Sequence, residues 1–490
     1  MKIALAASEA APFAKTGGLA DVIGALPKAL HDLGCEVRVF LPKYSIIDES
    51  KYDIHYEYAI GEMPIRIGGF PWSVHVQRTT IPGSNVPLFL IDCPHFFHRG
   101  TIYTSDHDEH ARFILFSKAV IEALQYMQWA PDVFHVNDWQ TALIPLLIKE
   151  NYSWDRMFHG TGSLLTIHNI GYQGHFSTDA LDAAEIRHDL FYHGGPLEKD
   201  GGVSFLKAGI LFSEAISTVS NTYAQEILSP QFGAGLESEL QIRRADLFGI
   251  LNGIDTEVWN PETDPHLPHH FSRDDRSGKS KNKKFLSEKI GLPYRQDIPL
   301  IGIVSRLVAH KGFDLIAGAL APLMEMEAQW VILGSGEEKF EGMFRAMHHR
   351  LPEKVWTYIG FNNELAHLIE AASDIFLMPS RYEPCGLNQM YSLRYGTVPV
   401  VRKTGGLADT VWDWHELRTA GSEQGNGFSF NDPTPLALAS TVQRAITTFG
   451  DREVWDRIQS NGMGQDFSWK KSAEQYVELY KRVAARRRNS

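Results

Sequence analysis

At 490 residues the chain is longer than a single hydrophobic core ordinarily grows, so two domains, at most three, are expected. Its 43% hydrophobic and 22% charged residues are those of an ordinary soluble globular protein, and a net charge of -12 argues against a nucleic acid or other polyanion as the main partner while leaving room for a small anion held by local cations. Three scattered cysteines, Cys35, Cys93 and Cys385, make neither a disulfide framework nor a zinc site, and no apolar run is long enough to span a bilayer, so a reducing cytoplasm with no membrane partner is expected.

Residues 3–7 read as a first strand, after which Leu19, Val22, Ile23, Leu26, Leu30 and Leu33 recur at helical spacing until Gly34 ends the helix; residues 36–41 supply the next strand. The connecting loop, Lys15-Thr16-Gly17-Gly18, offers glycines where phosphates could approach the backbone ahead of a helix N-terminus. It lacks the G-x-G-x-x-G spacing, and no acidic residue closes the second strand, which disfavours a nicotinamide enzyme. Residues 51–94 alternate in short apolar runs and predict a β-rich excursion. Asp106-His107-Asp108-Glu109-His110 precedes a helix expected from about residue 112 to 128. This cluster invites a divalent metal, but acidic residues also belong at a helix cap and first turn, and capping is the reading adopted.

Residues 132–136 and 163–167 are buried-type strands. Their carboxyl ends bring Asp138 and His168 to one crevice, and His168 shares its loop with two glycines and an amide; structural and catalytic roles both stand. After a strand at 215–219, residues 249–255 begin the crossing into a second domain. Residues 266–284 are polar and carry His266, His269 and His270; without periodicity they read as a mobile, solvated loop rather than a metal site.

The apolar run 300–304 has the composition of a central parallel strand, so Arg306 and Lys311 emerge at a strand's carboxyl end, where open α/β sheets bind ligands. Two cations five residues apart can grip a diphosphate, one as a planar fork and one as a point charge; the plainer reading is a solvated loop with two surface cations. Runs at 330–336, 355–361 and 375–380, each strand closed by Gly, Pro or Ser, complete a second doubly wound sheet. Glu383-Pro384-Cys385-Gly386-Leu387 then opens a helix, with amides at Gly386 and Leu387 suited to a phosphate and Glu383 suited to sugar hydroxyls. Lys403-Thr404-Gly405-Gly406-Leu407-Ala408-Asp409 repeats Lys15 to Asp21 letter for letter. Phe467, Trp469, Ala473, Tyr476, Val477 and Tyr480, at mostly helical spacing, predict a last amphipathic helix that docks on the body and ends in a basic tail.

Together these motifs resemble the bacterial glycogen synthases and plant starch synthases, retaining glycosyltransferases that elongate α-1,4-glucan from ADP-glucose. The residues that carry the resemblance are the first Lys-Thr-Gly-Gly-Leu, Thr166 to Gly174, Asn252-Gly253-Ile254-Asp255, Ser305-Arg306-Leu307 with Lys311-Gly312, Glu383 to Leu387 and the second Lys-Thr-Gly-Gly-Leu. One departure is His310, where the family commonly carries Gln.

The resemblance implies an α/β protein of GT-B type, two Rossmann-like doubly wound domains facing across a deep cleft. Its N-terminal domain would be residues 1–248 on the acceptor side, its donor-binding domain 249–465, and its crossing helix 466–490. It implies that Arg306 and Lys311 neutralise the leaving diphosphate and that Gly18 approaches it. Glu383 would hold the donor glucose, Asp138, His168 and Asn252 would line the sugar pocket, and Phe361 would stack on adenine. Lys15, with Asp21, would serve donor binding or closure, and Cys385, Gly386, Leu387 and Thr404 would complete substrate binding. ADP-glucose and glycogen are the expected partners, no metal or other cofactor is expected, and oligomeric state is left open. Three alternatives remain: a sucrose- or trehalose-type synthase with a small acceptor, a glucan phosphorylase with a lysine-bound pyridoxal phosphate, and a non-catalytic sugar-nucleotide sensor.

Overall fold

Runs of small and branched apolar residues, each closed by a polar or glycine-bearing turn, form parallel strands buried on both faces. The computed structural model describes residues 1–488, and the chain divides into two units, Met1–Gly253 with Trp469–Ser490, and Ile254–Ser468. The divisions fall a few residues past the boundaries drawn at 248 and 465. Gly253 stays with the first unit because a Cβ there would lie 2.7 Å from the backbone of Trp469.

In the first unit β1 (Lys2–Ala6), β2 (Glu36–Pro42), β3 (His55–Tyr56), β4 (Glu62–Ile67), β5 (Phe70–Thr80), β6 (Pro87–Asp92), β7 (Val133–Asn137) and β8 (Gly162–Ile167) enter one sheet; β9 (His175–Phe176), β10 (Glu198–Lys199) and β11 (Gly202–Ser204) form a small antiparallel one; β12 (Ala215–Thr218) and β13 (Leu247–Gly249) close the first. Among the described residues its order is β13-β12-β8-β7-β1-β2-β6-β5-β3, with β4 on β5. It is parallel from β13 to β6 and antiparallel in the excursion beyond. The chain winds outward from β1 through β2 to β6 and returns to β7 on the other side, so the order reverses between β1 and β7. At such a switch point the loops diverge and leave a crevice beyond the strand ends.

The second unit repeats the plan with β14 (Leu300–Val304), β15 (Gln329–Gly334), β16 (Val355–Ile359), β17 (Ile375–Met378), β18 (Val398–Arg402) and β19 (Phe428–Phe430), all parallel in the order β16-β15-β14-β17-β18-β19. Alternation along β15 shows both faces filled: Trp330 and Ile332 join one buried cluster, Val331 and Leu333 the other. Its switch point lies between β14 and β17.

The helix Trp469–Arg488 docks on the first unit as its apolar spacing predicts. Tyr480 hydrogen-bonds His135 of β7 at 2.8 Å, Ser472 donates to the Leu251 carbonyl at 2.6 Å, and Arg486 and Arg488 pair with Asp246 and Asp132. No helix among the described residues is long and apolar enough to cross a membrane.

Two expectations are corrected. Residues 266–284 are not a mobile loop: Ser277–Ile290 is a helix whose inward face is cationic. Lys279 is buried and donates to the Ala371 carbonyl and Thr397 Oγ1, Lys283 pairs with buried-side Asp374 at 2.7 Å, and Asn282 bonds the backbone of His269. Carbonyls and a carboxylate below the helix take the place of apolar partners over its first turns, and only Leu286 and Ile290 reach a hydrophobic cluster, so no hydrophobic period is visible. Second, Asp108 stands at the N-cap of the helix Glu109–Tyr126 and Glu109 in its first turn, as the capping reading has it, but the Asp108 carboxylate makes no hydrogen bond to the helix amides. Arg99 holds Asp106 and Asp108, the latter bidentately at 2.5 and 2.6 Å, because a planar guanidinium binds a carboxylate better than amides do.

Candidate active site

In the second unit, the carboxyl ends of β14 and β17 surround a cavity of about 180 Å³. Ser305, Arg306 and Lys311 line it from one side and Ser380, Glu383, Gly386 and Leu387 from the other. Two backbone contacts hold the walls together. The His310 carbonyl accepts from the Arg381 amide at 2.8 Å, and Gly312 sits at φ +81° with its Cα so near Pro379 that a Cβ would lie 2.0 Å from that carbonyl. Asn388 ties the following helix to β14 by donating to the Val304 carbonyl at 2.8 Å.

The two cations differ. Arg306 is exposed, and its guanidinium makes no hydrogen bond or ion pair among the described residues. Lys311 donates to Glu383 Oε2 at 2.6 Å, and Ser380 Oγ donates to the same oxygen at 3.0 Å. The carboxylate read as separate from the diphosphate grip is thus in contact with half of it. Lys311 is held in place by a mostly buried anion, while Glu383 Oε1 remains for a hydroxyl. Burial, with Lys311 and Arg306 nearby, lowers the His310 imidazole below its usual range, so it adds no third positive charge at neutral pH.

Phe361 stands just beyond β16 and is 85% exposed, an aromatic face without cover. Cys385 and Thr404 are buried and do not line the cavity.

In the first unit the expected Asp138 and His168 follow the carboxyl ends of the adjacent strands β7 and β8, beside the β1/β7 switch point. Asp138 occupies the left-handed region at φ +53°, an uncommon conformation for a non-glycine residue. Its Oδ1 accepts from the His168 amide at 2.7 Å, pinning one strand end to the next. Burial pushes the carboxyl up to about 7 against the pull of the amides, with a further push from Glu9. The Asn137 amide donates to the Ala6 carbonyl at 3.1 Å, so its oxygen accepts from His168 Nε2 at 2.9 Å, which leaves Nδ1 with a free lone pair. Burial lowers this imidazole to about 3 and keeps it neutral. Asn252 is buried, and its Oδ1 has no hydrogen-bond partner among the described residues.

The loop of residues 15–18 lies beyond β1. Lys15 pairs with Asp21 at 2.5 Å, and a Cβ on Gly17 or Gly18 would meet nothing within 4 Å. The sequence reading missed Glu9, a buried carboxylate that accepts from the Thr16 and Gly17 amides at 2.6 and 3.0 Å. The Gly17 amide, one of the two glycine amides expected to face a phosphate, is therefore taken by the protein itself. An acidic residue among small neighbours three positions past a strand was the one available signal. Ser380 and Asn388 were also missed: each is a short polar residue, the first bonded to Glu383 within its own turn and the second to Val304 at the end of another strand.

Comparison with known proteins decides what this pair of sites belongs to. Residues 2–242 match the family model "Starch synthase catalytic domain" and residues 286–460 the model "Glycosyl transferases group 1". Glycogen synthases from Streptococcus mutans and Geotalea uraniireducens are 44% and 45% identical, each over 99% of this chain and 100% of theirs. The chain belongs to the glycogen synthase family.

As a member of that family it is a glycosyltransferase, and its fold agrees. The solved catalytic domain of starch synthase IV from Arabidopsis thaliana, bound to ADP and acarbose, superposes with a TM-score of 0.90 at 35% identity over 99% of both chains. Sucrose-phosphate synthase from Thermosynechococcus elongatus, with a TM-score of 0.60 at 16% identity, shares the fold alone. The contact that joins the cavity walls is made by the backbone carbonyl of His310, so it does not depend on which side chain stands there.

Proposed function

We propose that this chain transfers glucose from ADP-glucose to the non-reducing end of an α-1,4-glucan such as glycogen, with retention of configuration and release of ADP. The observation that carries the reading is the cavity at the β14/β17 switch point, where unengaged Arg306 stands beside Lys311, Glu383 and the amides of Gly386 and Leu387. Breaking the glycosidic bond moves negative charge onto the departing diphosphate. A fixed guanidinium and ammonium interact more strongly with that charge than with the intact donor, so they lower the barrier. Glu383 fixes Lys311 before substrate arrives and keeps Oε1 for a glucose hydroxyl. Exposed Phe361 supplies a face for adenine. In the first unit, Asp138 and neutral His168 offer Oδ2 and Nδ1 to sugar hydroxyls, and the loop carrying Lys15 serves the donor.

Two cations and helix-terminal amides already supply positive charge, so the reaction proceeds without a divalent metal. The test is ADP release from ADP-glucose with glycogen present and absent, each with and without excess chelator. Glycogen-dependent release unaffected by chelator is expected; release without glycogen, or loss restored by magnesium or manganese, contradicts the reading.

A further inference from the structure

The Lys-Thr-Gly-Gly loop is held by one side chain that the motif does not contain. Glu9 is 4% exposed and every hydrogen-bonding direction of its carboxylate is used. Oε2 accepts from the Thr16 amide at 2.6 Å and the Gly17 amide at 3.0 Å, and Oε1 accepts from Thr16 Oγ1 and from Tyr103 Oη, both at 2.7 Å. Tyr103 in turn bonds Ser8 Oγ at 2.8 Å, and Tyr44 donates to the Ser8 carbonyl at 2.9 Å, so the turn bearing Glu9 is anchored from outside the loop. No ion pair to Glu9 is present among the described residues. The buried anion is compensated instead by four donors and by the N-terminal end of the helix Gly18–Asp32.

This arrangement sorts the loop's backbone donors. Thr16 and Gly17 are consumed, whereas Gly18, the first residue of the helix, remains exposed with open space above its Cα. Lys15 is exposed at the same edge, leaning on Asp21. The loop's conformation does not come from its glycines: Gly17 is extended, at φ -151° and ψ -167°, which any residue adopts. The constraint comes from the carboxylate.

We propose that Glu9 is a positioning residue for the transfer reaction, fixing the loop of residues 15–18 so that Lys15 and the Gly18 amide are presented in one conformation. The inference rests on the reading that this loop serves the donor. Glu9→Gln retains size but removes the charge that holds the Thr16 and Gly17 amides, and with its carbonyl oxygen toward them it sets an NH2 group against the Thr16 and Tyr103 hydroxyls, which must reverse from donor to acceptor. Tyr103→Phe removes one bond and keeps three.

The experiment combines kinetics with hydrogen exchange on the full chain. For Glu9→Gln the result expected is a fall in kcat/KM for ADP-glucose of about tenfold or more, with the KM for glycogen within about twofold of the parent. Amide exchange should rise in the peptide spanning residues 14–18 and stay unchanged in the strands. Tyr103→Phe should show the same pattern at a few-fold loss, which keeps the inference open to refutation if Glu9→Gln does not fold. Unchanged exchange in that peptide, or donor kcat/KM within about twofold in a folded Glu9→Gln variant, overturns the role. Equal losses for donor and glycogen together with a general rise in exchange would make Glu9 merely structural. An inactive parent chain would instead refute the proposed function, and the exchange pattern would still decide whether Glu9 holds the loop.

Discussion

Residues 15–21 and 403–409 are identical, and each follows a parallel strand into a helix, yet their glycines meet opposite surroundings. A Cβ on Gly17 or Gly18 would touch nothing, whereas one on Gly405 would lie 2.0 Å from the Glu383 carbonyl and one on Gly406 2.0 Å from that of Cys385. Gly405 also needs the left-handed region, at φ +44°, and the Gly406 amide donates to the Pro384 carbonyl at 3.1 Å. The first copy presents backbone outward and is held from beneath by Glu9. The second copy is itself the bed on which the turn bearing Glu383 lies. The same seven letters thus form an exposed loop in one unit and a buried support in the other, and what separates them is the packing around each.

The comparison is broken most severely at the glycines. Gly405→Ala or Gly406→Ala is expected to cost roughly 2–3 kcal/mol or more, because rigid backbone must move, and to displace Glu383 with loss of most turnover. Gly17→Ala and Gly18→Ala should change stability by no more than about 0.5 kcal/mol. Thermal melts of the four variants check this, and equal losses in both copies would erase the distinction.

The lysines sharpen it further. Lys15 is exposed and paired with Asp21, whereas Lys403 is paired with Glu416 on a neighbouring helix of its own unit. Lys15→Ala should lower kcat/KM for the donor about tenfold at an unchanged melting temperature, and Lys403→Ala by less than about threefold. Steady-state kinetics that gave the two variants equal losses would contradict the assignment.

A smaller effect concerns the crevice beside the first copy. Asp138 is raised by burial to about 7, so the folded state holds a proton that the unfolded chain releases near the ordinary carboxylate value. Its contribution is fully present below about pH 4 and is lost as pH rises through about 7. The melting temperature of the parent relative to Asp138→Asn should therefore decline across that interval and level off above it. A relative stability that rises with pH would show the carboxyl to be ionised in the fold.

The alternation of strands and helices was legible because each parallel strand is an apolar run closed by a glycine, proline or polar turn, and the sheet ends that carry Arg306, Glu383, Asp138 and His168 follow from it. The helix Ser277–Ile290 was not legible: beside Leu286 its buried face carries Lys279, Asn282 and Lys283, and the partners of the two lysines come from distant residues such as Asp374 and Thr397. The Lys311–Glu383 pair joins residues 72 positions apart, and each alone suggested a separate task. Glu9 was missed for a related reason, since its role is set by backbone amides, which carry no letter.

Arg306 offers the most direct test of the diphosphate site, since it lines the cavity, is exposed and has no partner to orphan, whereas removing Lys311 would strand Glu383. The measurement is turnover of ADP-glucose onto glycogen by Arg306→Ala and the parent, with matched thermal melts. A melting temperature within about 2 °C and a fall in kcat of roughly a hundredfold or more, the loss of about 3 kcal/mol of transition-state stabilisation, is predicted, with Arg306→Lys recovering part of it. A folded Arg306→Ala variant that keeps kcat within about threefold of the parent would contradict the assignment of this cavity to the departing diphosphate.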